Sequence, residues 1–81
     1  MTPSHAPEKP GRRTAEHLVA AEAYRRILAG EAPETLTALA AALADWLRTA
    51  HPDVPPLAPA AIETAVRETW DRRHELIGSA L

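Results

Sequence analysis

Residues 33–50, PETLTALAAALADWLRTA, decide the fold. Leu36, Leu39, Ala40, Leu43, Trp46, Leu47 and Ala50 recur at the spacing of two heptads, the apolar stripe of an α-helix that packs knobs into holes. Thr37, Asp45, Arg48 and Thr49 fall on the other side. Pro33 suits the first helical position, and Glu34 suits the positive end of the helix dipole. The pattern therefore predicts a helix from Pro33 to near Ala50, ending before His51-Pro52, at the centre of the core.

Upstream, the segment from about Thr14 to Ala29 predicts a second helix, with Thr14 as its cap and Gly30 supplying a left-handed stop. At 100° per residue, Ala20, Ala23, Tyr24, Ile27 and Leu28 share a face, so Tyr24, Ile27 and Leu28 are expected in the core. Glu22, Arg25 and Arg26 lie opposite, and Glu22 and Arg26 are spaced for an i,i+4 ion pair. Leu18 falls near that polar face and Val19 to one side, which leaves both available to a partner.

Downstream, residues 51–59, HPDVPPLAP, contain four prolines and cannot be regular helix. Pro55-Pro56 favours an extended path, and Val54 and Leu57 can pin it to the bundle. A pre-stiffened connector loses less entropy on folding. A third helix is expected from Pro59 or Ala60 to about Ile77, with Gly78 as its stop. Its inner face would hold Ile62, Ala65, Val66, Thr69, Trp70, Leu76 and Ile77. Arg73 falls by angle in the middle of that stripe. Either its stem runs past Trp70 to solvent, or it marks an interface with a partner chain. No segment reads as a strand, and the whole predicts an all-α three-helix bundle over residues 14–81.

Residues 1–13, MTPSHAPEKPGRR, have too little apolar bulk to offset their ordering entropy and are expected to form a disordered tail. They lack the apolar region of a secretory signal, which makes the cytoplasm the expected location. Lys9, Arg12 and Arg13 against Glu8 give this tail two net positive charges, leaving four net negative charges on residues 14–81. The Ala, Arg and Pro bias, with one Lys and no Asn or Gln, suits a GC-rich bacterial coding sequence.

Composition also bounds the chemistry. There is no Cys among the 81 residues, which excludes a disulfide framework and a Cys-ligated zinc site. There is no run of about 18 apolar residues, so no membrane span is expected. The nucleophile elbow, the H-E-x-x-H motif and any phosphate-cradling glycine loop are missing. His5, His17, His51 and His74 have no ligand spacing and are expected to be surface histidines rather than metal ligands. A chain this short spends its apolar side chains on its own core, so no enzyme, metal or cofactor is expected. Nucleic acid is a poor candidate partner: Arg67, Arg72 and Arg73 are interleaved with Glu63, Glu68, Asp71 and Glu75, and the body is acidic. A small DNA-binding regulator or antitoxin, using a dimer and the basic arm, is one alternative. A phage or mobile-element inhibitor of a larger host protein, using the acidic body, is another.

Association with protein is the leading expectation, because a bundle this small gains stability from oligomerisation. Alanines at 20, 21, 23, 38, 41, 42 and 44 would let helices approach closely, or they are present for helix propensity alone. Trp46 and Trp70 are the natural anchors, inside the core or across an interface. The expected core is Tyr24, Ile27, Leu28, Leu36, Leu39, Leu43, Trp46, Leu47, Ile62, Val66 and Leu76. The expected partner surface is Leu18, Val19, Trp70 and Arg73.

One resemblance bears on this. From Ala42 to His74, the heptad leucines Leu43 and Leu47 precede His51-Pro52-Asp53-Val54-Pro55-Pro56, and Ile62-Glu63 precede Val66-Arg67-Glu68 and Trp70. This order resembles a small actinobacterial domain, the three-helix-bundle dimerisation domain. In this chain His51 replaces the usual aromatic, Leu57–Ala60 is extra, and an N-terminal helix takes the place of the family's last helix. The resemblance implies homodimerisation, in some members as an appendage to phosphatase-like or regulatory proteins.

Overall fold

A computed structural model describes residues 11–80, and the first ten residues of the expected tail lie outside that stretch. Four helices follow one another: α1 (Arg12–Ala29), α2 (Leu36–Ala50), α3 (Pro59–Asp71) and α4 (Arg73–Ala80). Among the described residues there is no strand.

The centre of the core is the stripe on α2. Leu39, Ala40, Leu43, Ala44 and Leu47 are buried, and so are Ile62, Val66 and Trp70 from α3. The proline-rich connector is pinned as expected, with Val54 and Leu57 both buried. α2 begins three residues later than Pro33. Thr35 is its N-cap, and the Thr35 Oγ1 accepts from the Ala38 N–H at 3.1 Å. The stop of α1 is as expected: Gly30 sits at φ 76°, the left-handed conformation that a Cβ disfavours. Its N–H donates to Ile27 O at 3.1 Å, and the Glu31 N–H donates to Arg26 O at 2.8 Å.

α1 differs from expectation in two ways. It starts at Arg12 behind Gly11, so Arg12 and Arg13, expected in the tail, are helical, and Thr14 lies inside the helix and caps nothing. It is also rotated by about 100°, one residue step of the helix, relative to the expected face. Ala15, Val19, Ala23 and Ile27 are buried, whereas Tyr24 is 46% and Leu28 39% exposed. Val19, expected to be free for a partner, is thus core, and Leu18 packs half-buried against that core. The reason is polar cost. His17 lies by angle between Tyr24 and Leu28, with Arg13 beside them, so burying that face would carry both inward. The observed face half-buries Glu16, Glu22 and Arg26, but these charges are paired: Arg26 Nε donates to Glu22 Oε2 at 2.8 Å and Arg12 Nε to Glu16 Oε2 at 3.2 Å.

The third predicted helix is two helices. α3 ends at Asp71, Arg72 takes φ −101° and ψ 13°, and α4 restarts at Arg73 and runs through Gly78. A straight helix would have aimed Arg73 into the apolar stripe. The bend instead lays it over Trp70. Trp70, expected at a partner surface, is core at 7% exposure. Leu36 is half-buried at the start of α2, and Leu76 is half-buried on α4 rather than core. Ile77, expected on the inner face, is exposed. Trp46 is also only half-buried. The buried face of α2 broadens toward Ala40 and Ala44, which leaves Trp46 at its edge, with its ring edge-on to His51 at 5.2 Å.

Candidate interaction surface

Three large apolar side chains are exposed among the described residues: Tyr24, Leu28 and Ile77. Two come from the outward face of α1 and one from α4, and these two helices pack against each other. Half-buried Leu76 joins them. Of the residues that sequence periodicity assigns to the core of α1, Ile27 is buried but Tyr24 and Leu28 are on a surface, while Val19, assigned to a partner, is inside and Leu18 is half-buried. The signal that distinguishes the faces is pairing: Glu16, Glu22 and Arg26 on the buried face have partners at i,i+4, whereas His17 and Arg13 run through the Tyr24–Leu28 face.

Two hollows flank α4, each of about 200 Å³. One is lined by Tyr24, Glu68, Thr69, Arg72 and Leu76. The other, at the α1–α2 turn, is lined by Ile27, Gly30, Ala32, Pro33, Arg73 and Ile77. Sites for small molecules run to roughly 300–1,000 Å³, so each hollow suits a side chain or two rather than a substrate.

Arg73 closes the seam between α3 and α4. Its Nη1 donates to Trp70 O at 2.8 Å, and its guanidinium carbon sits 4.0 Å from the centre of the Trp70 ring. The stem thus runs over Trp70, the first of the two alternatives that the sequence leaves open. The Trp70 carbonyl, which also accepts from a backbone N–H at the helix end, and the π-face of the indole together accept the cation.

The remaining cations of α3 and its end are engaged by carboxylates. Arg67 Nη2 lies 3.9 Å from Glu63, and Arg72 lies 3.8 Å from Glu68 and 3.4 Å from Glu75. On α1, Glu22 receives Arg25 at 3.0 Å and Arg26 at 2.8 Å, and Arg25 also reaches Glu31 at 3.2 Å. The Arg25 hydrogen bond holds the Glu22 carboxyl below its ordinary range. Partial burial opposes this, and Arg26 adds to the lowering. The Arg25 guanidinium is correspondingly raised, chiefly by its hydrogen bond to Glu22.

Among the described residues, no three His, Asp or Glu side chains come together as a cage for a metal ion. No helix among them is long and apolar enough to cross a membrane. Comparison of the chain with protein-family models, with curated proteins and with solved structures finds no match.

Proposed function

We propose that the protein is a non-catalytic interaction module that associates with a second copy of itself through the outward face of α1 and α4, in the cytoplasm of a bacterium. The observation that carries this is the grouping of Tyr24, Leu28 and Ile77, the exposed large apolar side chains, on two neighbouring helices. A small domain gains from keeping such residues at its surface only where something covers them. The resemblance of Ala42–His74 to the dimerisation domain points the same way.

A DNA-binding role has less support. Arg67 and Arg72 are engaged by Glu63, Glu68 and Glu75, and Arg73 is engaged by Trp70, so phosphates would have to displace these partners.

The test is absolute mass by light scattering on an eluting peak, over a range of concentration. The expected result is a dimer for the parent chain and a monomer of unchanged helicity for Tyr24→Ser/Leu28→Ser. A parent chain that stays monomeric up to about millimolar, the weak end of specific association, overturns self-association.

A further inference from the structure

We infer that the dimer forms by exchange of α4, with the hinge at Arg72 straightening so that α3 and α4 become one helix and α4 docks on the α1 of the second copy. This rests on the self-association proposed above and specifies its geometry.

The hinge contains no helix breaker. Asp71-Arg72-Arg73 has neither Pro nor Gly, and its residues otherwise continue the helical spacing that begins at Pro59. Helical hydrogen bonds reach up to the bend and resume just beyond it: the Arg72 N–H donates to Glu68 O at 3.2 Å, and the Leu76 N–H to Arg72 O at 3.0 Å. The backbone at Arg72, φ −101° and ψ 13°, lies a modest rotation from helical values. In the bend the Trp70 carbonyl accepts from a backbone N–H at the end of α3 and from Arg73 Nη1. In a straight helix the His74 N–H takes over that carbonyl, so opening the hinge leaves no backbone acceptor orphaned.

The docking of α4 on its own α1 is thin. The helix has eight residues, too few to be stable alone, and from Arg73 to Ile77 none is buried. Hollows lie on both sides of it. A second copy's α4 finds the same α1 face and the same hollows, so exchange repeats the existing contacts. Only the Arg73–Trp70 contact within one chain is surrendered. The continuous helices then add new surface between copies where the two chains cross, near Tyr24 and Leu28.

The test uses the chain's lack of cysteine. Ala32 and Ile77 line one hollow from different elements, so Ala32→Cys/Ile77→Cys places one thiol on the α1–α2 turn and one on α4. The isolated dimer peak, treated when dilute with a short bis-maleimide and run under denaturing conditions, is expected to give covalently linked dimers, and that of Ile77→Cys alone to give none, which excludes direct links between the two copies' residue 77. As a second variant, Arg72→Gly disfavours the straight helix at both hinges while suiting the bend. It is expected to raise the dimer dissociation constant about tenfold with circular dichroism unchanged, since each helix-interior Gly costs several-fold. A dimer that gives only internally linked single chains, or whose affinity Arg72→Gly leaves unchanged, overturns the exchange and leaves self-association standing. A parent chain that is monomeric throughout overturns both.

Discussion

The register of α1 is open to a paired test, because two adjacent residues have opposite environments. Ala23 is fully buried, and Tyr24, the next residue, is 46% exposed. Ala23→Leu adds three heavy atoms to a face where α1 lies close to its neighbours. Overpacking of this kind costs about 1–3 kcal/mol. In a domain of this size each kcal/mol moves the midpoint by roughly 4–8 °C, so Ala23→Leu should lower Tm by about 5–20 °C. Tyr24→Ser removes a larger group from the surface and should cost under about 1 kcal/mol. The melts are followed by circular dichroism at concentrations below the association midpoint, so that loss of dimer does not enter. If Tyr24→Ser unfolds the chain and Ala23→Leu melts like the parent, the buried face of α1 is the one that carries Tyr24 and Leu28, and the rotation described above is wrong.

Leu43→Ala removes a fully buried side chain from the middle of α2 and should cost about 2–5 kcal/mol, enough to unfold much of the population in a urea titration. Thr35→Ala deletes the hydroxyl that accepts from the Ala38 N–H and should cost about 1 kcal/mol in the same titration. The Glu22 carboxyl is held below its ordinary value in the folded chain, so its pairing stabilises the fold at pH values above the unfolded-state pKa. That contribution is lost as the pH falls through the depressed folded value. Glu22→Gln should therefore flatten the fall in stability on acidification below about pH 4.5, and a slope identical to the parent's would remove Glu22 from the account.

How much of this was legible beforehand differs from helix to helix. On α2 one face held nearly all the bulky residues and no charge, so periodicity settled the helix and the middle of its buried side, and missed that Leu36 and Trp46 sit half-buried at its margins. The connector was equally clear, because prolines forbid the alternative and Val54 and Leu57 are the apolar side chains between them. On α1 the apolar residues form two faces about 100° apart, and summing apolar bulk selects the wrong one. Bulk favours Tyr24 and Leu28. Pairing decides otherwise: the observed face half-buries Glu16, Glu22 and Arg26 with partners on α1, and the small Ala15 and Ala23 then permit the approach. At the α3–α4 break no local signal exists, because Asp71, Arg72 and Arg73 all tolerate a helix. The bend depends on what lies nearby in space: Trp70 needs cover, and α1 offers a ledge for Leu76.

The candidate surface follows from the same two events. Once α1 turns its smaller residues inward, Tyr24 and Leu28 are left on the outside. Once α4 folds back, Ile77 is brought beside them. Neither event alone makes a patch. With α1 rotated the other way, Ile77 would adjoin a polar face; with α3 straight, Tyr24 and Leu28 would border an empty groove. Exchange of α4 keeps the first event and relocates the second to a neighbouring chain. The same apolar residues are then covered in the dimer that the bent monomer leaves in water, and the driving force for association grows with the area that Tyr24, Leu28 and Ile77 lose to solvent. Replacing Ile77 with Ser should therefore weaken association while leaving the bundle's melting midpoint nearly unchanged at low concentration. A large drop in that midpoint would mean instead that α4 is part of the stable core, and it would remove the premise that α4 can be exchanged.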